Sequence, residues 1–187
     1  MRISDARYTR DRLRLDLALR FIQLEARTRT IRVWTGLTDD RIRRLVHSCT
    51  TDQGGSDVTR HRGKSPTQTT YFTRSPVLRQ EAAILASLCY LLQVVPTGRV
   101  ADAQRALPGV QRGEALCEAF EIYRRLVPGA RIGFEHAVFL VIALARSDEL
   151  AATLCSDCNG LIVVDRYAVP GRRCACCEAS LQGRLPL

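Results

Sequence analysis

Lysine is almost missing from this 187-residue chain, in which Lys64 stands alone beside 27 arginines. A GC-rich coding sequence gives the same bias, so the ratio by itself carries little weight as evidence of guanine or phosphate recognition. Long apolar runs are missing too. No window approaches 18 consecutive apolar residues, and the opening Met-Arg-Ile-Ser-Asp-Ala-Arg-Tyr has no apolar stretch of the secretory kind. The expectation is a soluble, cytoplasmic protein with no membrane partner. Histidine is scarce: His47, His61 and His136 are dispersed and join no Ser/His/Asp or Cys/His set, so the chain is read as not an enzyme. Phosphate-cradling glycine motifs are lacking as well, since Gly63-Lys64-Ser65 has neither the upstream glycine nor a preceding strand.

What is present suits one substantial domain or two small ones, with 46% hydrophobic residues. The formal charge of +9 is unevenly placed. Residues 1–75 hold 16 basic and 8 acidic side chains, a net of +8, and residues 76–187 hold 12 and 11, a net of +1. That imbalance argues against a uniformly basic, ribosomal-type protein and places an anion-facing surface in the N-terminal part.

The apolar spacing predicts a mostly α protein. Leu13, Leu17, Phe21 and Leu24, flanked by Leu15, Leu19 and Ile22, predict an amphipathic helix over residues 5–27. A short helix over Thr28–Thr35 stops at Gly36. Thr38 then caps a third helix, which carries Asp39 and Asp40 in its first turn, buries Ile42, Leu45 and Val46, and ends near residues 47–50. A polar loop follows to about residue 70 and contains Arg60-His61-Arg62-Gly63-Lys64. Ser75-Pro76 starts a buried helix through residues 77–95, and further helices are expected at about 99–107, 112–127 and 133–152. The expected parts are residues 1–50 (N-terminal helices), 51–75 (basic loop or arm), 76–152 (helical core) and 153–180 (a cysteine-bearing segment).

Eight cysteines in a cytoplasmic chain are not expected to pair as disulfides. Cys49, Cys89 and Cys117 fall on helices and read as core filler. The others give Cys155-x₂-Cys158-x₁₅-Cys174-x₂-Cys177, the spacing of a structural zinc site in which two turn-borne pairs close a tetrahedron of thiolates. One zinc ion per chain is the expected cofactor. Cys176 could replace Cys177 as the fourth ligand, and an iron–sulfur cluster would use the same donors. Asn159-Gly160 supplies the permissive backbone such a knuckle needs, and Leu161-Ile162-Val163-Val164 with Tyr167-Ala168-Val169 are expected to form a small hairpin between the pairs. So short a ribbon has too little core to fold without its metal.

Residues 31–45 have the form of a helix-turn-helix unit, with Arg41, Arg43, Arg44 and His47 on the outer faces of the second helix. Arg60, Arg62 and Lys64 form a second candidate surface for DNA, since an arm can follow a phosphate backbone or enter a minor groove.

In order along the chain, Leu24-Glu25-Ala26-Arg27, Gly36-Leu37 with Arg41-Ile42-Arg43-Arg44-Leu45, and Gly63-Lys64-Ser65-Pro66 are followed by Cys89-Tyr90-Leu91-Leu92, the Tyr123 helix ending at Pro128, and the paired cysteines with Asn159-Gly160. This collinear set resembles the FlhC flagellar transcriptional regulator family over roughly residues 10–180. The resemblance implies a mostly helical protein, the flagellar regulator or a close paralogue, that binds one zinc ion through Cys155, Cys158, Cys174 and Cys177. It also implies assembly with an FlhD-like co-regulator, two of this chain with four partner chains, and activation of flagellar and other operons from promoter DNA through RNA polymerase. A zinc-containing adaptor that binds a protein partner through the apolar residues 85–95, and never touches DNA, is the alternative expectation.

Overall fold

The computed structural model of the chain describes residues 6–52, 65–96, 107–167 and 171–182. Among these, seven helices, one 3₁₀ turn and a two-stranded sheet follow in the order α1 (Ala6–Gln23), α2 (Thr28–Thr35), α3 (Asp39–Asp52), the 3₁₀ turn Thr69–Phe72, α4 (Pro76–Leu91), α5 (Val110–Leu126), α6 (Phe134–Arg146), β1 (Leu150–Leu154), β2 (Leu161–Asp165) and α7 (Ala175–Gln182).

Local signals set most of the boundaries. Ser75 accepts a hydrogen bond from the Leu78 N–H, and Pro76, which has no N–H to leave unpaired, opens α4. Gly36 takes a left-handed φ of 71° and donates its N–H to the Arg32 carbonyl, ending α2. The Thr38 hydroxyl accepts from the Arg41 N–H at 3.4 Å at the head of α3.

The core lies where α1, α2, α4, α5 and α6 meet. Phe21 of α1 sits between Trp34 of α2 and Phe134 of α6, with ring centroids 6.0 and 5.0 Å away, and Phe120 of α5 closes on Phe134 at 5.2 Å. Leu85 and Cys89 of α4 and Leu116 and Cys117 of α5 are fully buried beside them. Burial pushes the Cys89 and Cys117 thiols up to about 12, which keeps them neutral and unreactive. Cys49 is half-buried against the same core.

Two carboxylates, Glu81 and Glu135, are buried here. Oε2 of Glu81 on α4 accepts from the Tyr123 hydroxyl at 2.5 Å, the Arg131 N–H at 2.9 Å and the Ile132 N–H at 3.3 Å, so this oxygen is satisfied and the connection from α5 to α6 is fastened to α4. Desolvation, followed by the hydrogen bond to Glu81, raises the Tyr123 phenol.

Several expectations are corrected. Leu13 is 48% exposed, and the buried stripe of α1 runs instead through Leu17, Ala18, Phe21 and Ile22. The helix expected over 77–95 ends at Leu91: Gln93 takes a left-handed φ of 58°, and Val94 and Val95 fold back so that both N–H groups reach the Cys89 carbonyl. Residues 85–95 are mainly core, with Leu91 the conspicuous exception. The helix expected over 133–152 stops at Arg146, where Ser147 turns left-handed at φ 53°, and residues 150–154 form a strand. That strand pairs antiparallel with Leu161–Asp165, from Leu150 opposite Asp165 to Leu154 opposite Leu161. The hairpin therefore encloses the first cysteine pair instead of lying between the pairs, and β1 crosses the 152/153 boundary. The helix expected at 99–107 falls almost wholly outside the described residues.

Candidate metal centre

The hairpin delivers the first cysteine pair. β1 runs into Cys155, whose N–H donates to the Gly160 carbonyl at 2.8 Å, and the Asn159 N–H returns to the Cys155 carbonyl at 3.0 Å. Asn159 holds a left-handed φ of 57°, a conformation Asn tolerates better than most residues. A Cβ at Gly160 would come within 3.4 Å of the Cys158 sulfur. The second pair sits at the head of α7: the Cys177 N–H donates to the Cys174 sulfur at 3.3 Å, and the Cys174 N–H donates to the Cys155 sulfur, also at 3.3 Å. The Ser156 N–H meets the Arg172 carbonyl at 2.8 Å, and Asp157 pairs with Arg173 at 2.9 Å, so both segments are joined on each side of the sulfurs.

The sulfurs of Cys155, Cys158, Cys174 and Cys177 all lie within 4.8 Å of one another, an arrangement that can hold a metal ion. Cys158 and Cys174 are 3.8 Å apart. This is far longer than a disulfide at about 2.05 Å, and all eight cysteines are free. It equals the edge, about 3.8 Å, of a tetrahedron whose metal–sulfur bonds are about 2.3 Å. Cys176 is exposed and lies outside the group, which makes Cys177 the fourth member.

Electrostatics agree with the geometry. Backbone N–H groups of Cys158, Cys174 and Asp157 bring the Cys155 thiol down to about 6. The Gly160 N–H pulls Cys158 the same way, but hydrogen bonds with the Cys155 and Cys174 sulfurs outweigh it and leave Cys158 raised. Cys177 is pushed up strongly, first by Cys174 and then by Cys158. One thiolate forms readily, and its neighbours resist adding negative charge to so small a volume. A cation at the centre of the four relieves that repulsion and allows all of them to ionise.

Arg79 of α4 holds Glu178 of α7 through paired hydrogen bonds, one of them 3.1 Å long, which anchors the second cysteine pair to the helical core. Neither residue was singled out from the sequence, because 99 positions separate them. Beside the centre, a cleft of about 670 Å³ runs between β2 and α4, lined by Gln80, Ala83, Ile84, Ser87 and the consecutive residues 161–165.

The arginines expected to face DNA behave differently from one another. Arg41, half-exposed, forms a bidentate pair with Asp11 of α1, at 3.2 and 2.8 Å, which lowers the Asp11 carboxyl and raises the guanidinium. Arg43 and Arg44 are exposed, and Arg43 holds Asp40 at 3.0 Å one turn before it. Ile42 is fully buried as expected, and Leu45 and Val46 are half-buried. Arg60, Arg62 and Lys64 lie outside the described residues.

No protein-family model and no curated protein matches this chain. Among the described residues, no helix is long and apolar enough to cross a membrane.

Proposed function

We propose that the protein is a DNA-binding transcriptional regulator, one subunit of a hetero-oligomeric activator of the FlhD/FlhC type. The net charge of +8 on residues 1–75, against +1 on the rest, carries this reading. Helices α2 and α3, joined by Gly36-Leu37-Thr38, serve as the helix-turn-helix-like unit, with Arg43 and Arg44 on its solvent side. The four thiols hold one zinc ion per chain, closed to substrate and structural in role, since a full set of sulfur ligands leaves no position for catalysis. The protein works in the cytoplasm as two copies with four FlhD-like partners, bound to promoters of flagellar and other operons in contact with RNA polymerase, and performs no catalysis of its own.

The test is a gel shift of the chain, alone and with its co-regulator, at stepped salt concentrations. Promoter affinity that falls steeply with salt is expected, and weaker binding by an Arg43→Ala/Arg44→Ala variant. A complex that forms with the co-regulator but never crosslinks to DNA would establish the adaptor instead, a reading weakened by the burial of Leu85, Ala86, Cys89, Val94 and Val95.

A further inference from the structure

The buried stripe of α1 does not stay apolar along its length. Followed toward the N-terminus in helical steps of three, four and seven, the line through Leu17, Ala18 and Phe21 reaches Arg14, Asp11, Arg10 and Arg7. Arg7 and Arg10 are exposed and Arg14 is half-buried. The one carboxylate among them, Asp11, is committed to Arg41 of α3, and Arg44 lies one turn further along the Arg41 face. Four arginines thus surround one bridge between two helices. Among the described residues, none of Arg10, Arg14 and Arg44 has an ion-pair partner, whereas Arg43 and Arg32 are held by Asp40 and Asp39.

Helix electrostatics make the placement unusual. The N-terminus of a helix favours anions, and α3 complies with Asp39 and Asp40, but the first turn of α1, from Ala6, has no acidic residue and carries Arg7.

We propose that Arg7, Arg10 and Arg14 of α1, continued by Arg44 of α3 around the Asp11–Arg41 bridge, form the surface that grips the phosphate backbone of duplex DNA. This rests on the DNA-binding reading above and assigns the backbone grip mainly to α1, with the outer face of α3 left to other contacts. Arg7 to Arg14 spans about 10.5 Å at 1.5 Å per residue. A duplex carries one charge per about 1.7 Å, so the stripe meets several phosphates. An anionic membrane is the competing polyanion, but it requires an apolar face alongside the charge. The exposed apolar residues here, Tyr8 and Leu13, point about 140° apart around the helix and make no such face.

The experiment is fluorescence anisotropy of the full chain on a mixed-sequence 30-bp duplex between about 50 and 200 mM salt, where phosphate contacts dominate affinity. An Arg10→Ala/Arg14→Ala variant, checked by circular dichroism for intact helix, is expected to lose about tenfold in affinity and to flatten the log–log salt slope by about 2. Arg10→Lys/Arg14→Lys should restore the slope, and Asp11→Asn should tighten binding several-fold. If the wild type binds duplex DNA and the alanine pair leaves the slope unchanged, this surface is wrong while the DNA-binding reading stands. If the wild type shows no salt-dependent binding, both fail. Preference for phosphatidylserine vesicles over the duplex also overturns the proposal.

Discussion

Helices α1–α3 and the segment from β1 to α7 are held by different means. In residues 6–52, Leu17, Ala18, Phe21, Ile22, Ile31, Trp34, Leu37 and Ile42 are buried, with Leu17 and Trp34 close against Gly113 of α5 and Phe21 against Phe134 of α6. At roughly 1.5–3 kcal/mol for each large apolar side chain removed from water, that face alone fastens the three helices to the core. In residues 150–182 the buried apolar set among described residues is Leu150, Ile162, Val163 and the sulfur-bearing Cys155. A hairpin of two five-residue strands and an eight-residue helix with so little to bury need another source of order, and four converging sulfurs supply the place for one. The arginine-rich end can spend its exposed surface on a ligand because its fold does not depend on that surface. The cysteine-rich end spends its polar groups on its own folding.

Removing the metal should break the comparison most sharply. Chelation or Cys155→Ala is expected to release about one ion per chain and to unfold residues 150–182 locally while the helical core persists, read as lost amide protection in that segment alone. Structural zinc contributes on the order of 10 kcal/mol in small sites. A metal-free chain that keeps full protection there would remove the distinction. Phe21→Ala should do the converse, loosening α1 and α2 from α5 and α6 at a cost of about 3–5 kcal/mol in chemical denaturation without changing metal content.

Smaller effects sharpen the same contrast. Tyr123→Phe deprives the buried Glu81 of its hydroxyl donor and should cost about 1–3 kcal/mol, seen as a lowered denaturation midpoint in the helical core, again with metal retained. Acid provides the mildest test. Asp11 and Glu178 are held below their ordinary values of 3.8 and 4.5 by Arg41 and Arg79. Their contributions are complete above those values and are lost as pH falls through the lower folded ones. Both pairs sit near the surface, so the expected losses are small and shrink with added salt. Thiolate protonation should therefore release metal before either pair visibly weakens the core, which parallel metal and circular dichroism titrations would read.

The sequence was most legible where the cause is local. A serine before a proline, a glycine after a short apolar run and a threonine before two aspartates mark helix ends through hydrogen bonds that span only a few residues, and α2 falls over Thr28–Thr35 as read. Spacing likewise picked out the four cysteines, because two atoms apiece on two tight turns need little else to converge. Residues 150–154 were misread because Leu-Ala-Ala-Thr-Leu favours helix locally, and only pairing with Leu161–Asp165 makes it a strand. Leu13 was misplaced because residues 13, 17, 21 and 24 and residues 17, 18, 21 and 22 are both acceptable helical stripes, and the position of α5 and α6 selects the second.

By itself, then, the sequence determined a mostly helical chain, a basic N-terminal part and a quartet of cysteines at metal-binding intervals, since each depends on composition or on short-range geometry. The tertiary structure alone decided that Arg79 reaches Glu178 and that Arg41 pairs with Asp11 while, among the described residues, Arg10 and Arg14 form no salt bridge. Those outcomes depend on which helix lies beside which. A guanidinium has the same chemistry at every position, and only its neighbours determine whether its charge is spent within the fold or left for a partner.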